Sequence, residues 1–580
     1  MEPSDHINRP ATLDIPTPLT DEQRGINPDR RATNRILNDS ERMIHEYDPA
    51  TDTTTNRFES FPALGTNERG GIMARIAKAV LGTDPRKIET FSMDTLPIFR
   101  QLAPELFARG WVPTIRKDAF DRFGTPIYPW NTIGESEPVN EEGRFIALVR
   151  MPRNMHAAGF RKPMDPQEMV DAAEADALGF GPFYSRTSHL VIATCDTADS
   201  DPATGEKIEK PNGDWDGEVV VPNMDYACNP LEQIKQYGTG LFEGIGVEMN
   251  DDGEVTVFRL KEHWNRMSQG GEWLGMPKIP YALFEKMVME TIQANWAYIP
   301  PAGKGRLYVR PDWFDHGPQL KVGNSGRFTL LMCAIPIGSA ESYFTRGRKK
   351  FFMAKGRARV AEGGNAGKLK ADGHYSGTID LIGKAGKKGM AGVIFTNSAG
   401  DRIEETNASS VIFIKRSPDG KHRIITPSLA HGTLLNSITR RTILDLAREK
   451  GWTVEERDIS PNELASMTKE GDMEAVAVGT AAAIAPIHEI QVGSVDPETN
   501  EIHEDGELIK ISHEGEDCRG PVSMEIFQAI MAVKSGKAQK EMRARLKATT
   551  NPTGIANLER QLSEQESWLT IVPPPDKEVL

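Results

Sequence analysis

Long apolar runs are missing from this chain of 580 residues. A helix that crosses a bilayer needs about 20 consecutive apolar residues, and no such run is present; the opening residues, MEPSDHINRP, also lack the apolar centre of a secretory leader. A soluble, cytoplasmic protein without a membrane partner is expected. Cysteine is scarce too, with Cys195, Cys228, Cys333 and Cys518 the only four. Their wide spacing excludes a C-x-x-C metal or redox motif, and their number excludes a disulfide scaffold. Reduced thiols and no metal site are expected. Positive charge is also short: 69 Lys and Arg stand against 83 Asp and Glu, a net charge of -14. A general nucleic-acid binder is disfavoured, because backbone binding relies on a cationic face that displaces counterions.

Two phosphate-binding motifs fail as well. Around Lys368 the pattern G-x-x-x-x-G-K-[ST] has Glu362 at its first glycine and Leu369 at its hydroxyl position. In YGTGLFEG, Glu243 takes the third glycine position of G-x-G-x-x-G, which disfavours a dinucleotide site.

The length predicts two to four domains, and 38% apolar residues with 52 Gly and 39 Pro fit a folded, loop-rich protein. Residues 1–65, rich in Asp, Pro, Thr and Asn, read as a poorly ordered arm. Over 66–184 the spacing predicts helices, one carrying Ile72, Ile76 and Val80, another opened by Asp165-Pro166 as N-cap and first position. From about 185 the pattern turns to strands. GIGVEM and VTVFRL flank a turn at residues 250–253, and KEHWNRMSQ then reads as a helix bearing Arg266.

Candidate chemistry lies farther on. The stretch 362–375, EGGNAGKLKADGHY, sets Lys370 between glycine-rich backbone and Gly-His-Tyr, which suits a side chain that meets a bound group closely, although most lysines are merely solvated. Arg310, inside the β-pattern GRLYVRPDWF, fits either a solvated edge or an inward guanidinium awaiting a carboxylate. Two strands around a turn are expected over 390–416, with Glu404 and Glu405 opening the second. Ser437, Ile438 and Thr439 begin an amphipathic helix whose inner face is Ile443, Leu446 and Ala447 and whose C-cap is Gly451. Such a helix start can hold a phosphate. Small residues at 479–482 allow backbone to approach a ligand, or simply a tight core crossing.

In order, the chain carries YGTGLFEG (237–244), FRLKEHWNRM (258–267), LYVRP (307–311), GGNAGKLKADGHY (363–375), IEETNASSVIFI (403–414), GTLLNSITRRTI (432–443), VEERDIS (454–460) and VGTAAAIAPI (478–487). This series resembles the fold-type IV pyridoxal-phosphate enzymes, most closely the branched-chain amino-acid aminotransferases. The resemblance implies a two-domain α/β (α+β) fold, small over 185–345 and cofactor-binding over 346–540; beyond it, the charged residues 541–580 read as a C-terminal tail that includes a helix. It implies pyridoxal 5'-phosphate as cofactor. Lys370 matches the catalytic lysine that binds it covalently and carries a proton as a free amine. Glu405 matches the carboxylate beside the pyridine nitrogen, its neighbour Glu404 being left to solvent. Arg266, Ser437, Ile438, Thr439 and Thr480 match the phosphate cup, and Tyr375 a tyrosine beside the ring.

For the substrate, the resemblance implies Tyr237 and Phe242 as pocket residues, Arg310 for the distal carboxylate of glutamate, and the N–H groups of Ala481 and Ala482 for the α-carboxylate. The implied activity moves an amino group between a branched-chain or other apolar L-amino acid and 2-oxoglutarate, in a homodimer. There are departures: His374 where Asn is common, Ser437 for a usual Gly, Ser410 for a common Asn, and one extra residue before Lys370. They bear on the substrate range. D-amino-acid transaminases, amine transaminases and aminodeoxychorismate lyases share the fold. A non-catalytic scaffold is the reading from another class, and joint retention of Lys370, Glu405 and Arg266 speaks against it.

Overall fold

The computed structural model describes residues 41–48, 53–60, 156–160, 165–175, 187–200, 207–215, 218–222, 224–227, 230–340, 349–480, 483–511 and 520–575. Two compact units divide the chain, 1–150 and 151–580. In the first, strands Glu41–Asp48 and Thr53–Ser60 pair antiparallel, with Glu41 opposite Ser60. The expected arm therefore contains β-structure, which Ile44, Tyr47, Thr53, Thr54, Thr55 and Phe58 favour as β-branched or aromatic residues. The helix expected around residues 72–80 lies outside the described residues.

In the second unit a nine-stranded sheet forms around the antiparallel pair Gly305–Asp315 and Arg327–Gly338. The hairpin Ile245–Met249/Val255–Phe258 lies beside it, closed at the expected turn: Gly253 has φ 79°, a conformation suited to glycine, and its N–H donates to Asn250 O at 2.9 Å. Helices Pro166–Glu174, Leu260–Trp273 and Tyr281–Ala294 bury Met169, Met267, Phe284 and Val288 in one core with Val191, Val247, Val309 and Leu330 of the sheet. The first of these helices starts as expected, Asp165 accepting the N–H groups of Gln167 and Glu168 ahead of Pro166. It precedes the boundary expected near 185 yet packs into this core, so the domain reaches back past that point. The end of the chain returns to the same sheet. Helices Lys537–Ala548 and Pro552–Glu566 lead to strand Leu569–Val572, which pairs with Val255–Phe258. What the charge content suggests as a tail holds the expected helix and, after it, an edge strand.

Two further sheets build the remainder. One holds Lys350–Ala354, Gly392–Thr396, Ile403–Thr406 and Glu489–Val495, with the short strands Ile502–His503 and Leu508–Lys510. The other holds Ser410–Lys415, Arg423–Thr426, Thr453–Glu456, Met473–Gly479 and Ala483–Pro486. Strand alternation sorts their side chains between layers. Phe351 and Met353 join Val411 and Phe413 in the core between the sheets. Phe352 and Ala354 instead face Leu381 and Ala385 of helix Ile379–Lys387, while Ile412 and Ile414 face helices Ile438–Glu449 and Pro521–Lys534. The expected inner face of helix 438–449 is confirmed, Ile443, Leu446 and Ala447 all being buried, and Gly451 follows it at φ 72°.

The two strands expected over 390–416 are three. Ile403–Thr406 pairs back on Gly392–Thr396, and the chain then crosses to open the other sheet at Ser410. Thr406 holds the corner: its Oγ1 accepts the N–H groups of Ala408 and Ser409 at 3.1 and 2.8 Å, and its own N–H donates to Ser409 O at 2.8 Å.

Candidate active site

A cleft of about 490 Å3, counting its open mouth, lies where these sheets meet. Lys370, Tyr375, Glu405, Arg266, Ser437 and Thr480 all line it, as do Arg359 and the corner 406–410. Residues 370–372 are held against strand Gly240–Phe242: Phe242 N–H donates to Lys370 O at 3.0 Å and Asp372 N–H to Gly240 O at 3.1 Å. Behind Lys370 the backbone is tightly packed. A Cβ on Gly367 would stand 2.1 Å from the Thr433 carbonyl carbon, so only glycine fits there.

The Lys370 ammonium donates to Tyr375 Oη at 3.3 Å and lies 4.5 Å from the centre of the Phe242 ring. Burial first, then Arg266 and Arg310, lower its pKa against the pull of Glu243 and Glu405, to about 8. Near neutrality a usable share of Lys370 is the free amine, the nucleophilic form. Burial pushes the Tyr375 hydroxyl the other way, up to about 12, so it stays protonated.

At one end of the cleft, Arg266 is fixed by a residue that its motif position left unassigned. Its Nε and Nη2 donate to the two carboxylate oxygens of Glu243, both at 2.7 Å, and its Nη1 donates to Asn436 O at 3.0 Å. His263 Nδ1 is 2.7 Å from Glu243 Oε2. Burial works to raise the Glu243 carboxyl, yet Arg266 and His263 outweigh it and hold it well below the usual carboxylate range. The guanidinium is thus bonded one residue ahead of Ser437, the cap of helix 438–449, whose hydroxyl accepts Arg440 N–H at 3.2 Å. Ile438 and Thr439 form the helix's first turn, but their side chains are buried and do not line the cleft.

At the floor, Arg359 Nη2 and Leu435 N–H both donate to Glu405 Oε1, at 2.5 and 3.1 Å. Burial raises the Glu405 carboxyl and Arg359 opposes it. Glu404 is not solvated as expected: it is fully buried with Arg402 Nη2 3.4 Å away, because strand 403–406 is covered on both faces.

On the small-domain side, Arg310 lies on an interior strand, which removes the solvated-edge explanation. Its guanidinium sits 4.4 Å from the centre of the Phe242 ring and donates to Tyr308 Oη at 3.3 Å. Tyr237 is not brought to the cleft. It is 42% exposed and donates to Leu320 O at 2.5 Å. Ala481 and Ala482 lie outside the described residues.

Residues 240–490 match the family model for amino-transferase class IV. The chain is 30% identical over 332 residues to branched-chain-amino-acid aminotransferase 5, chloroplastic, of Arabidopsis thaliana, a match spanning 57% of this chain and 73% of that relative. The chain belongs to the branched-chain group of the class IV aminotransferases. To the mitochondrial branched-chain amino acid aminotransferase 1 of Humulus lupulus it is 34% identical over 264 residues, 45% of this chain and 64% of the relative. A solved branched-chain aminotransferase of Thermoproteus uzoniensis, with norvaline, aligns at 24% identity and a TM-score of 0.46 over 61% of this chain and 97% of that one. Class IV aminotransferases depend on pyridoxal 5'-phosphate, and the cleft's donor set fits that cofactor. A lysine with a weakened hold on its proton faces the place for an aldehyde, a buried carboxyl the place for a ring nitrogen, and an anchored guanidinium beside a helix start the place for a phosphate. Sequence reasoning missed Glu243 and Arg359. The first appeared only as the residue that spoils a glycine motif, and no local pattern marks the second.

Proposed function

We propose that this aminotransferase moves the amino group of a branched-chain or other apolar L-amino acid to 2-oxoglutarate, giving the 2-oxo acid and L-glutamate, and that it works in the cytoplasm as a homodimer. One observation carries the substrate pair: the Lys370 amine and the Arg310 guanidinium lie over a single apolar platform, 4.5 and 4.4 Å from the centre of the Phe242 ring. An apolar side chain finds the ring there, and a distal carboxylate finds the guanidinium. The names of the relatives at 30 and 34% identity support the same donor class.

Bound pyridoxal phosphate supplies an electron-accepting ring on which an amino group is held and passed on. The chain's own residues do the rest. Arg266, held by Glu243, and the Ser437-capped helix start bind the phosphate without a metal. Glu405, kept between burial and Arg359, holds a proton at the ring nitrogen. Lys370 Nζ takes the proton from the substrate Cα and returns it, with Tyr375 Oη beside it to fix the amine's direction. Absorbance of the purified protein tests the reading: the cofactor's visible band should bleach with leucine and return with 2-oxoglutarate. A band indifferent to leucine but bleached by a D-amino acid or a simple amine would replace the substrate assignment.

A further inference from the structure

Two carboxylates with no part in the chemistry above stand beside Arg310. Alternation places them: on strand 305–315, Val309 and Trp313 point into the core, whereas Arg310 and Asp312 point to the opposite face. The same holds for the segment after Lys370. Ala371 pairs with Leu241 and is buried in that core, so Lys370 and Asp372 share the cleft side. The strand 240–242 joins the two sets, Phe242 standing opposite Asp312 while Gly240 O accepts Asp372 N–H. A Cβ on Gly240 would come 2.1 Å from Asp372 Oδ2, so the missing side chain is what lets this carboxylate lie across the strand. Asp312 Oδ1 is buried and accepts no hydrogen bond among the described residues. Burial pushes both carboxyls up; Asp372 adds to the push at Asp312, and Arg310 opposes it at both.

We infer that Asp312 and Asp372 are specificity-determining residues: by setting the net charge beside Arg310, they decide how well the pocket takes the second carboxylate of a dicarboxylic substrate. The inference rests on the reading that Arg310 faces the substrate. With both aspartates ionised, one guanidinium meets two carboxylates and a distal carboxylate is repelled. With one protonated that repulsion weakens, and the guanidinium's pull on a distal carboxylate is less opposed. The other groups here are Tyr308 from the same strand, Phe242 from one neighbouring strand, Cys333 opposite Arg310 on the other, whose thiol burial keeps protonated, and Lys370 and Tyr375. Of these, only Lys370 is a cation near neutrality. An apolar side chain carries no charge to be repelled, so leucine-like substrates are indifferent to the pair.

Calorimetric titration of the cofactor-loaded protein with glutarate and with 4-methylpentanoate reads this directly, one ligand having the second carboxylate and the other an apolar end. In the Asp312→Asn/Asp372→Asn double variant, glutarate should bind roughly tenfold tighter relative to 4-methylpentanoate than in the unaltered protein. The unaltered protein's preference for glutarate should fall as pH rises, and the double variant's should fall less. If the double variant does not fold, as its melting and cofactor band will show, the single Asn variants decide with a shift of about threefold each. An unchanged or lower glutarate ratio, or equal pH slopes, overturns the inference. Failure of leucine and 2-oxoglutarate as substrates would appear in the absorbance test and leave this binding ratio free to decide on its own.

Discussion

Two arginines act on Lys370, and they are held in opposite ways. Arg266 is anchored: a fully buried carboxylate grips it through two bonds of 2.7 Å, and that carboxylate is held well below its ordinary range. Arg310 leans on an aromatic ring and a tyrosine hydroxyl, beside two aspartates pushed above theirs. The first arrangement suits a ligand that is always present and always charged, because its geometry is fixed beforehand. The second suits an exchanging ligand, because its charge can change. Lys370 lies between them and is pushed down by both guanidinium groups.

Removing the shared centre gives the largest effect. Lys370→Ala should lower turnover by at least about a thousandfold, within the range for a lost general acid–base group, in a protein whose melting is little changed; comparable turnover would show that another residue moves the proton. Next, Glu243→Ala should destabilise the fold by roughly 3–5 kcal/mol, as expected when one member of a buried ion pair is removed, and loosen the cofactor, read by chemical denaturation and by cofactor titration. Because folding depresses the Glu243 pKa, its stabilisation is full above the unfolded carboxyl's value of about 4.3 and is lost as pH falls below it. Glu243→Gln should therefore flatten the acid end of the stability profile. At the other arginine, Arg310→Ala should cut kcat/KM for glutamate about tenfold more than for leucine, and equal losses would remove Arg310 from substrate recognition. The smallest effect is a shift in titration. In cofactor-free protein, labelling of Lys370 by an amine reagent should rise with pH around a midpoint of about 8, rather than the ordinary lysine value of about 10.4.

The same contrast explains what could be read from the sequence. Lys370, Arg266, Glu405 and Ser437 sit in short local patterns, a glycine-rich loop, a helix face, a strand start and a helix cap, and all four line the cleft. Glu243 and Arg359 act through partners 23 and 46 residues away, and no spacing rule spans such a distance. Glu404 shows the limit of alternation. Period two says that neighbours face opposite ways, but in strand 403–406 both directions are interior. Tyr237 matches a family motif, yet the short helix Gln233–Tyr237 carries it outward to Leu320. The C-terminal segment looked like a tail because its helices are highly charged, and the pairing of Leu569–Val572 with Val255–Phe258 joins strands more than 300 residues apart in sequence.

The central claim is that Lys370 is the residue that holds pyridoxal phosphate. Borohydride reduction of the cofactor-loaded protein, followed by peptide mass mapping, tests it most directly. The account predicts a single phosphopyridoxyl adduct on the peptide containing Lys370, fragmenting at that residue. An adduct at the nearby Lys368, or at a lysine outside the cleft, would contradict it.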